Sequence, residues 1–274
     1  MFVAGFPTGV FAANCYIVAA ARGAECVVID PGQDAAPAVA EVVREHRLKP
    51  VAVALTHGHL DHMWSVLPVC GSYDAVCWVH PADRSMLADP LAGLPREWAS
   101  ALLGAGATFA EPDDVRPLAD GMRLELAGLS FTVDHTPGHT SGSVTFRTPS
   151  DPGSAWEPHG FSRTVPAEDA PELMFSGDLL FAGSIGRTDL PGGDHKTILR
   201  SLADKVLPLD DRIVVLPGHG DQTTIGRERQ TNPFLQGLVP GPAPSASASA
   251  TAGSASDART GAPGGHAPGP NQSG

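Results

Sequence analysis

The chain has 274 residues, 42% of them hydrophobic, and 18 Lys and Arg stand against 30 Asp and Glu for a formal net charge of −12. That length supports one sizeable core, or two small ones. A charge of this sign repels polyanions on average, which argues against nucleic acid and against anionic membrane surfaces as partners.

Residues 1–11 are apolar, but they carry no early Lys or Arg and are interrupted by Gly5, Pro7 and Gly9. A signal peptide is therefore not expected. No apolar run approaches the ~20 residues needed to span a bilayer, so a cytoplasmic protein is expected. Residues 15–18 and 26–29 read as short strands with a turn at Arg22-Gly23, and Pro31-Gly32 ends the second. Residues 36–47 have helical composition, with Val39, Val42 and Val43 recurring at i, i+3 and i+4. A continuous apolar strand follows at 51–55, then a short helix after Asp61 and a strand at 76–79.

The second half repeats the alternation. Residues 124–126 and 130–133 form an expected strand pair around Gly128, with further strands at 143–146, 173–175 and 213–216 and a helix at 197–206. Alternating strands and helices argue for layered α/β architecture. Residues 148–172 are rich in Pro, Gly, Ser and acidic residues and read as a long surface loop. Residues 240–274 contain no Leu, Ile, Val or aromatic residue. Such a segment buries too little apolar surface to offset its ordering entropy. A disordered tail is expected there, leaving 1–239 as the folded domain.

Cys15, Cys26, Cys70 and Cys77 lie in apolar contexts without CxxC spacing, so reduced thiols buried in strands are expected. Among the histidines outside the motifs below, His80 reads as structural, and His46, His159, His195 and His266 read as surface residues.

The strongest chemical signal is Thr56-His57-Gly58-His59-Leu60-Asp61-His62, directly after the apolar run 51–55. Three histidines and an aspartate at a strand end make a ligand-rich loop, and imidazole nitrogen with carboxylate oxygen suits zinc, iron, manganese or cobalt. One loop seldom closes a metal shell. His139 in Thr136-Pro137-Gly138-His139, Asp178 in Ser176-Gly177-Asp178 and His219 in Pro217-Gly218-His219 repeat one grammar: an apolar strand, a Gly-bearing turn, then a ligand-type side chain. Asp30, in Ile29-Asp30-Pro31-Gly32, is a candidate for fixing a ligand histidine from behind, or a turn former. Arg187, nine residues after Asp178 in a Gly-rich loop, is either a bidentate grip on a substrate carboxylate or one side of an ion pair with Asp189 or Asp194.

The Thr-His-x-His-x-Asp-His run at 56–62, with His139, Asp178 and His219, resembles the metallo-β-lactamase superfamily. The segment 181–194, containing Gly186-Arg187-Thr188-Asp189, and the segment 223–234 resemble its short glyoxalase II-like, hydroxyacylglutathione hydrolase-like branch. The resemblance implies a four-layer αβ/βα sandwich with the site at its edge. It implies two divalent metal ions, zinc first with iron or manganese as alternatives. His57, His59 and His139 would hold one, and Asp61, His62 and His219 the other. Asp178 would bridge them, and Asp61 would also orient the attacking hydroxide. The implied reaction is hydrolysis of a small thioester by a metal-bound hydroxide, with no protein nucleophile. Full-length glyoxalase II enzymes continue into a helical glutathione-binding domain, where this chain turns to Pro, Ala and Ser, so the thiol carrier is open. The alternative is a mononuclear-iron oxidoreductase resembling the persulfide dioxygenases, which share the Gly186–Asp189 segment. The oligomeric state is not readable.

Overall fold

A computed structural model describes residues 1–93, 109–150, 155–158 and 170–239. The expected tail at 240–274, most of the loop at 148–172, and His159 and His266 lie outside the described residues. In chain order the strands are β1 (Phe2–Thr8), β2 (Ala13–Ala19), β3 (Glu25–Ile29), β4 (Lys49–Ala54), β5 (Val76–Val79), β6 (Val115–Pro117), β7 (Arg123–Leu126), β8 (Leu129–His135), β9 (Val144–Pro149), β10 (Ala155–Pro158), β11 (Glu172–Gly177), β12 (Leu180–Phe181), β13 (Ser184–Ile185), β14 (Val214–Pro217) and β15 (Thr223–Thr224). The α-helices are α1 (Ala35–His46), α2 (Leu60–Met63), α3 (Val66–Tyr73), α4 (His195–Ser201) and α5 (Ile225–Thr231).

Among the described residues, one sheet runs β10-β1-β2-β3-β4-β5-β6 and a second runs β15-β14-β11-β9-β8-β7, with β12 and β13 as a separate hairpin. Strand alternation then builds three layers of core. Cys26 and Val28 of β3 pack with Val39 and Val42 of α1 and Val66 and Val69 of α3, outside the first sheet. Their neighbours Val27 and Ile29 turn the other way and meet Phe131, Phe146, Leu173 and Phe175 between the two sheets. Met174 and Val215 face outward again, onto Ile198, Leu202 and Ile225. Because the central strands bury both faces, they read as continuous apolar runs rather than alternating ones. The architecture is the expected α/β sandwich, with helices outside both sheets.

Several local expectations are refined. The N-terminal segment, broken up on paper by Gly5 and Pro7, is strand β1 in full register with β2. Pro7 is exposed at its end, where a missing ladder donor costs least. Part of the expected loop at 148–172 is not loop, since β10 pairs in parallel with β1. Helix α4 starts earlier than expected, at His195, capped by Asp194, whose carboxylate accepts the Thr197 N–H at 2.7 Å, and it passes into a π-type turn over Leu202–Val206. All four cysteines are unpaired and buried, but Cys70 belongs to α3 rather than to a strand. His46 is not a surface residue: its ring packs on Phe2 at 4.6 Å and reaches Glu157. His80 stacks on His135 at 4.1 Å, a structural pairing as expected. No described helix is long and apolar enough to cross a membrane.

A candidate two-metal centre

Each chemically distinctive loop leaves the C-terminal end of a strand: Asp30 after β3, the run 56–62 after β4, His139 after β8, Asp178 after β11 and His219 after β14. The sandwich brings these ends to one edge. There the side chains form two adjacent triads, His57, His59 and His139 in one and Asp61, His62 and His219 in the other, with ligand atoms within 4.8 Å of each other in each. Asp178 stands between them. Its Oδ1 lies 3.4 Å from His62 Nε2, and its Oδ2 lies 3.5 Å from both His139 Nε2 and His219 Nε2. All seven side chains singled out in the sequence therefore meet.

Hydrogen bonds set the histidine tautomers, because a carbonyl or carboxylate can only accept. His139 Nδ1 donates to the Arg187 carbonyl at 2.7 Å, His219 Nδ1 to the Phe11 carbonyl at 3.1 Å, and His62 Nδ1 to Asp30 Oδ2 at 3.0 Å. Thr56 Oγ1 donates to Asp30 Oδ2 at 2.5 Å, so its lone pair is left to accept from His57 Nδ1 at 3.1 Å. In the neutral form of all four rings Nε2 is the nitrogen left with a lone pair for the site, the arrangement that orients a metal-binding imidazole. Asp30 thus serves two histidines, and its Oδ1 also accepts the Thr56 N–H at 2.8 Å. It does so from a left-handed backbone conformation, φ 49°, which costs a non-glycine residue about 1–2 kcal/mol and is held by its bonding to Thr56 and His62.

The electrostatics suit cation binding. Burial, reinforced by neighbouring imidazoles, holds His57 well below its ordinary pKa and His59 down at about 3, so both stay neutral at pH 7. His62 is the counterpart. Burial opposes its charge, but Asp178, Asp61 and Asp30 overcome this and lift it to about 10. Burial would raise Asp61, yet His62 and His219 pull it below the usual carboxylate range. In the absence of metal, a proton on His62 compensates these carboxylates.

The donor set fits divalent metal ions on an independent ground. His57 Nε2 and Asp178 Oδ1 are buried polar atoms with no hydrogen-bond partner. Buried orphans of this kind are costly unless something binds them. Close packing also leaves no room for substitution at Gly218, where an added Cβ would stand 2.2 Å from Asp178 Oδ1 and 2.8 Å from His62 Cε1.

The centre opens on a cavity of about 360 Å³, walled by Phe11, Leu60, Phe181, Ile185 and Leu190, with Arg187 and Ser184 at its polar side. Arg187 is bidentate to Asp189, both bonds at 2.7 Å. The ion pair, one of the two readings the sequence offered for Arg187, is therefore present, and Arg187 also lines the cavity.

Three supporting residues escaped the sequence reading. Asn14 Nδ2 donates to the Pro217 and Gly220 carbonyls at 2.9 and 3.0 Å, pinning the His219 loop. Glu228, fully buried, accepts from Thr223 Oγ1, Gly183 N and Asn232 Nδ2, at 2.5, 2.8 and 2.9 Å. It ties the β12–β13 hairpin, and with it Phe181 and Ile185 of the cavity wall, to α5. Asp83, also buried, accepts from Gly58 N, Thr140 Oγ1 and Gly142 N. Only the Thr223–Phe234 stretch carrying Glu228 stood out in the sequence, as a family-like segment without an assigned role.

Comparison with known proteins agrees with this geometry. The family model described as "Metallo-beta-lactamase superfamily" matches residues 8–152 and 154–219. An uncharacterized protein of Mycobacterium tuberculosis is 48% identical over 240 residues, covering 87% of this chain and 99% of that protein. The hydroxyacylglutathione hydrolase GloC of Haemophilus influenzae is 31% identical, covering 84% of this chain and 95% of its own. Among solved structures, the B3 metallo-β-lactamase BLEG-1 superposes with a TM-score of 0.70 at 36% identity, covering 86% of this chain and all of that one. TTHA1623, in a di-iron-bound form, does so with 0.64 at 37%, covering 84% and 99%. The chain belongs to the metallo-β-lactamase superfamily.

Proposed function

We propose that the chain is a two-metal hydrolase of small thioesters, of the hydroxyacylglutathione hydrolase kind. The observation that carries the reading is the meeting of two ligand triads on one shared carboxylate, Asp178, at the floor of an apolar-walled cavity. His57, His59 and His139 would hold one ion, Asp61, His62 and His219 the other, with Asp178 common to both. When bound, such ions supply Lewis acidity, lowering the pKa of water toward 7 and polarising an acyl carbonyl.

The chain's own residues supply the rest. The Nδ1 hydrogen bonds of four histidines keep each Nε2 lone pair aimed inward, so little reorganisation is needed when the site acts. Phe11, Leu60, Phe181, Ile185 and Leu190 exclude water around the acyl group. Arg187, already oriented by Asp189, presents positive charge at the polar side of the cavity. Asp61 lies beside His219, at 3.2 Å, where its carboxylate would hold a metal ion and also orient the attacking water. A departing thiolate has a conjugate acid near pH 8.5 for an ordinary thiol, so the site functions without a dedicated general acid.

The thioester class draws its support from the likeness to the hydroxyacylglutathione hydrolase GloC. Zinc is the metal we favour, and the di-iron form of TTHA1623 makes iron the alternative. The four free, buried thiols accord with a reducing cytoplasm. The test is metal analysis of the purified protein with a panel of lactoyl thioesters of glutathione, coenzyme A and mycothiol, beside a β-lactam and glutathione persulfide. We expect thiol release from at least one thioester, without oxygen uptake. Oxygen uptake on the persulfide with a single iron would replace this reading by the dioxygenase one. Turnover of the β-lactam alone would replace it by the activity in BLEG-1's name.

A further inference from the structure

We propose that Asp83 is a positioning residue that braces one half of the centre only, the His57–His59–His139 half. The proposal rests on the two-ion reading above and goes beyond it by assigning one half a brace that the other lacks, whereas Asp30 reaches into both.

Asp83 follows β5 and is completely buried. No ion pair is recorded for it among the described residues. Its charge is held by N–H and O–H donors alone, and these come from two loops far away in sequence. Oδ2 accepts from Gly58 N at 2.9 Å and from Thr140 Oγ1 at 2.6 Å; Oδ1 accepts from Gly142 N at 2.7 Å. Gly58 lies between His57 and His59, and Thr140 is the residue after His139. One carboxylate therefore clamps both backbones that carry this triad, with the short bonds expected of a charged acceptor. The loops pack onto Asp83 without slack: a Cβ on Gly142 would stand 2.5 Å from its Cγ, and one on Gly58 3.0 Å from its carbonyl oxygen.

The other half is braced from elsewhere. His62 is held by Asp30, and His219 by the Phe11 carbonyl, with Asn14 fixing its loop. No recorded hydrogen bond of Asp83 reaches Asp61, His62, Asp178 or His219. Asp83→Asn sets an amide N–H₂ against a donor that the carboxylate now satisfies, so the clamp loosens on one side of the centre.

The experiment titrates chelator-treated, full-length protein with zinc alone, reading stoichiometry and affinity by native mass spectrometry and calorimetry. Asp83→Asn is compared with wild type, then placed in an Asp61→Asn background, which cripples the other half, and in a His59→Ala background, which cripples this one. We expect Asp83→Asn to weaken one of two ions by about 10- to 100-fold. The same loss should appear with Asp61→Asn and vanish with His59→Ala. Equal weakening of both ions, no weakening, or a loss that persists with His59→Ala would overturn the proposal. Thr140→Val removes one donor without unseating the carboxylate. If Asp83→Asn does not fold, Thr140→Val decides the matter by the same three comparisons. Failure of the two-ion reading looks different: wild-type protein would not bind two zinc ions, or Asp61→Asn would leave both intact.

Discussion

His59 and His139, 80 positions apart in the chain, meet with Nδ1 and Nε2 at 2.8 Å. Burial first, and the neighbouring imidazole second, hold His59 neutral, near a pKa of 3. Removing either ring opens the same triad. His59→Ala and Asp178→Ala should each reduce kcat by on the order of 10²–10³-fold or more, the scale set by removing a group that stabilises transition-state charge. Circular dichroism should still report a folded protein. Full activity in the Asp178 variant would end its shared role.

Gly218 offers a more selective perturbation. A single methyl there would press on Asp178 and His62 while leaving every proposed ligand in the chain. Gly218→Ala should lower bound metal, measured by elemental analysis, and turnover together. An unaltered metal content would show that the loop relaxes without moving the ligands.

The metal-free protein should have a distinctive pH profile. His57 and His59 are depressed, so they stay neutral in the fold while the unfolded chain takes up protons below about 6.5. Stability therefore falls as pH drops below that value. His62 is raised to about 10, so its contribution is complete below about 6.5 and is lost progressively as pH climbs to about 10. As far as these groups act, thermal stability after chelation should peak near pH 6.5 and decline on both sides. Zinc should flatten the alkaline side, because a ligating His62 carries no proton there to lose. A metal-free Tm that rises between pH 7 and 10 would contradict this.

Arg187 separates two roles of one residue. Its carbonyl orients His139, and its guanidinium lines the cavity on Asp189. Arg187→Ala removes only the second. Metal content should be unchanged and KM raised, by up to about fivefold for an anionic substrate if one exposed charge contact of about 1 kcal/mol is lost. Loss of metal would mean that the side chain, not the carbonyl, supports the centre.

Glu228→Gln tests the buttress behind the cavity wall. Leaving buried donors unsatisfied should destabilise the fold by about 1–3 kcal/mol. It should act on KM more than on kcat, since Phe181 and Ile185 shift while the triads stay. Steady-state kinetics with a thioester substrate measure the split.

What was legible in the sequence was what is local. Residues 57–62 announce themselves because one loop holds four ligand-type side chains, and His139, Asp178 and His219 follow because each sits just past an apolar strand and a glycine. The α/β layering was legible in the alternation of apolar strands with helices, and the sandwich came from the family resemblance; the structure shows its central strands burying both faces, as Val27 and Val28 do in opposite directions. The supports were not. Asp83 stands at the start of the short turn Arg84–Leu87, and its carboxylate makes no cap there. Its three partners lie 25, 57 and 59 positions away, a relation that only packing creates. β1 was missed for the opposite reason, as Gly5 and Pro7 weaken a local strand signal that pairing with β2 and β10 overrides.

The central claim is that seven side chains gather two cations around Asp178. A crystal structure of the metal-loaded protein, with anomalous scattering collected at the metal's absorption edge, addresses it most directly. Two peaks are predicted, one among His57, His59 and His139, the other among Asp61, His62 and His219. One peak alone, or none among these residues in protein shown to bind metal, would contradict the account.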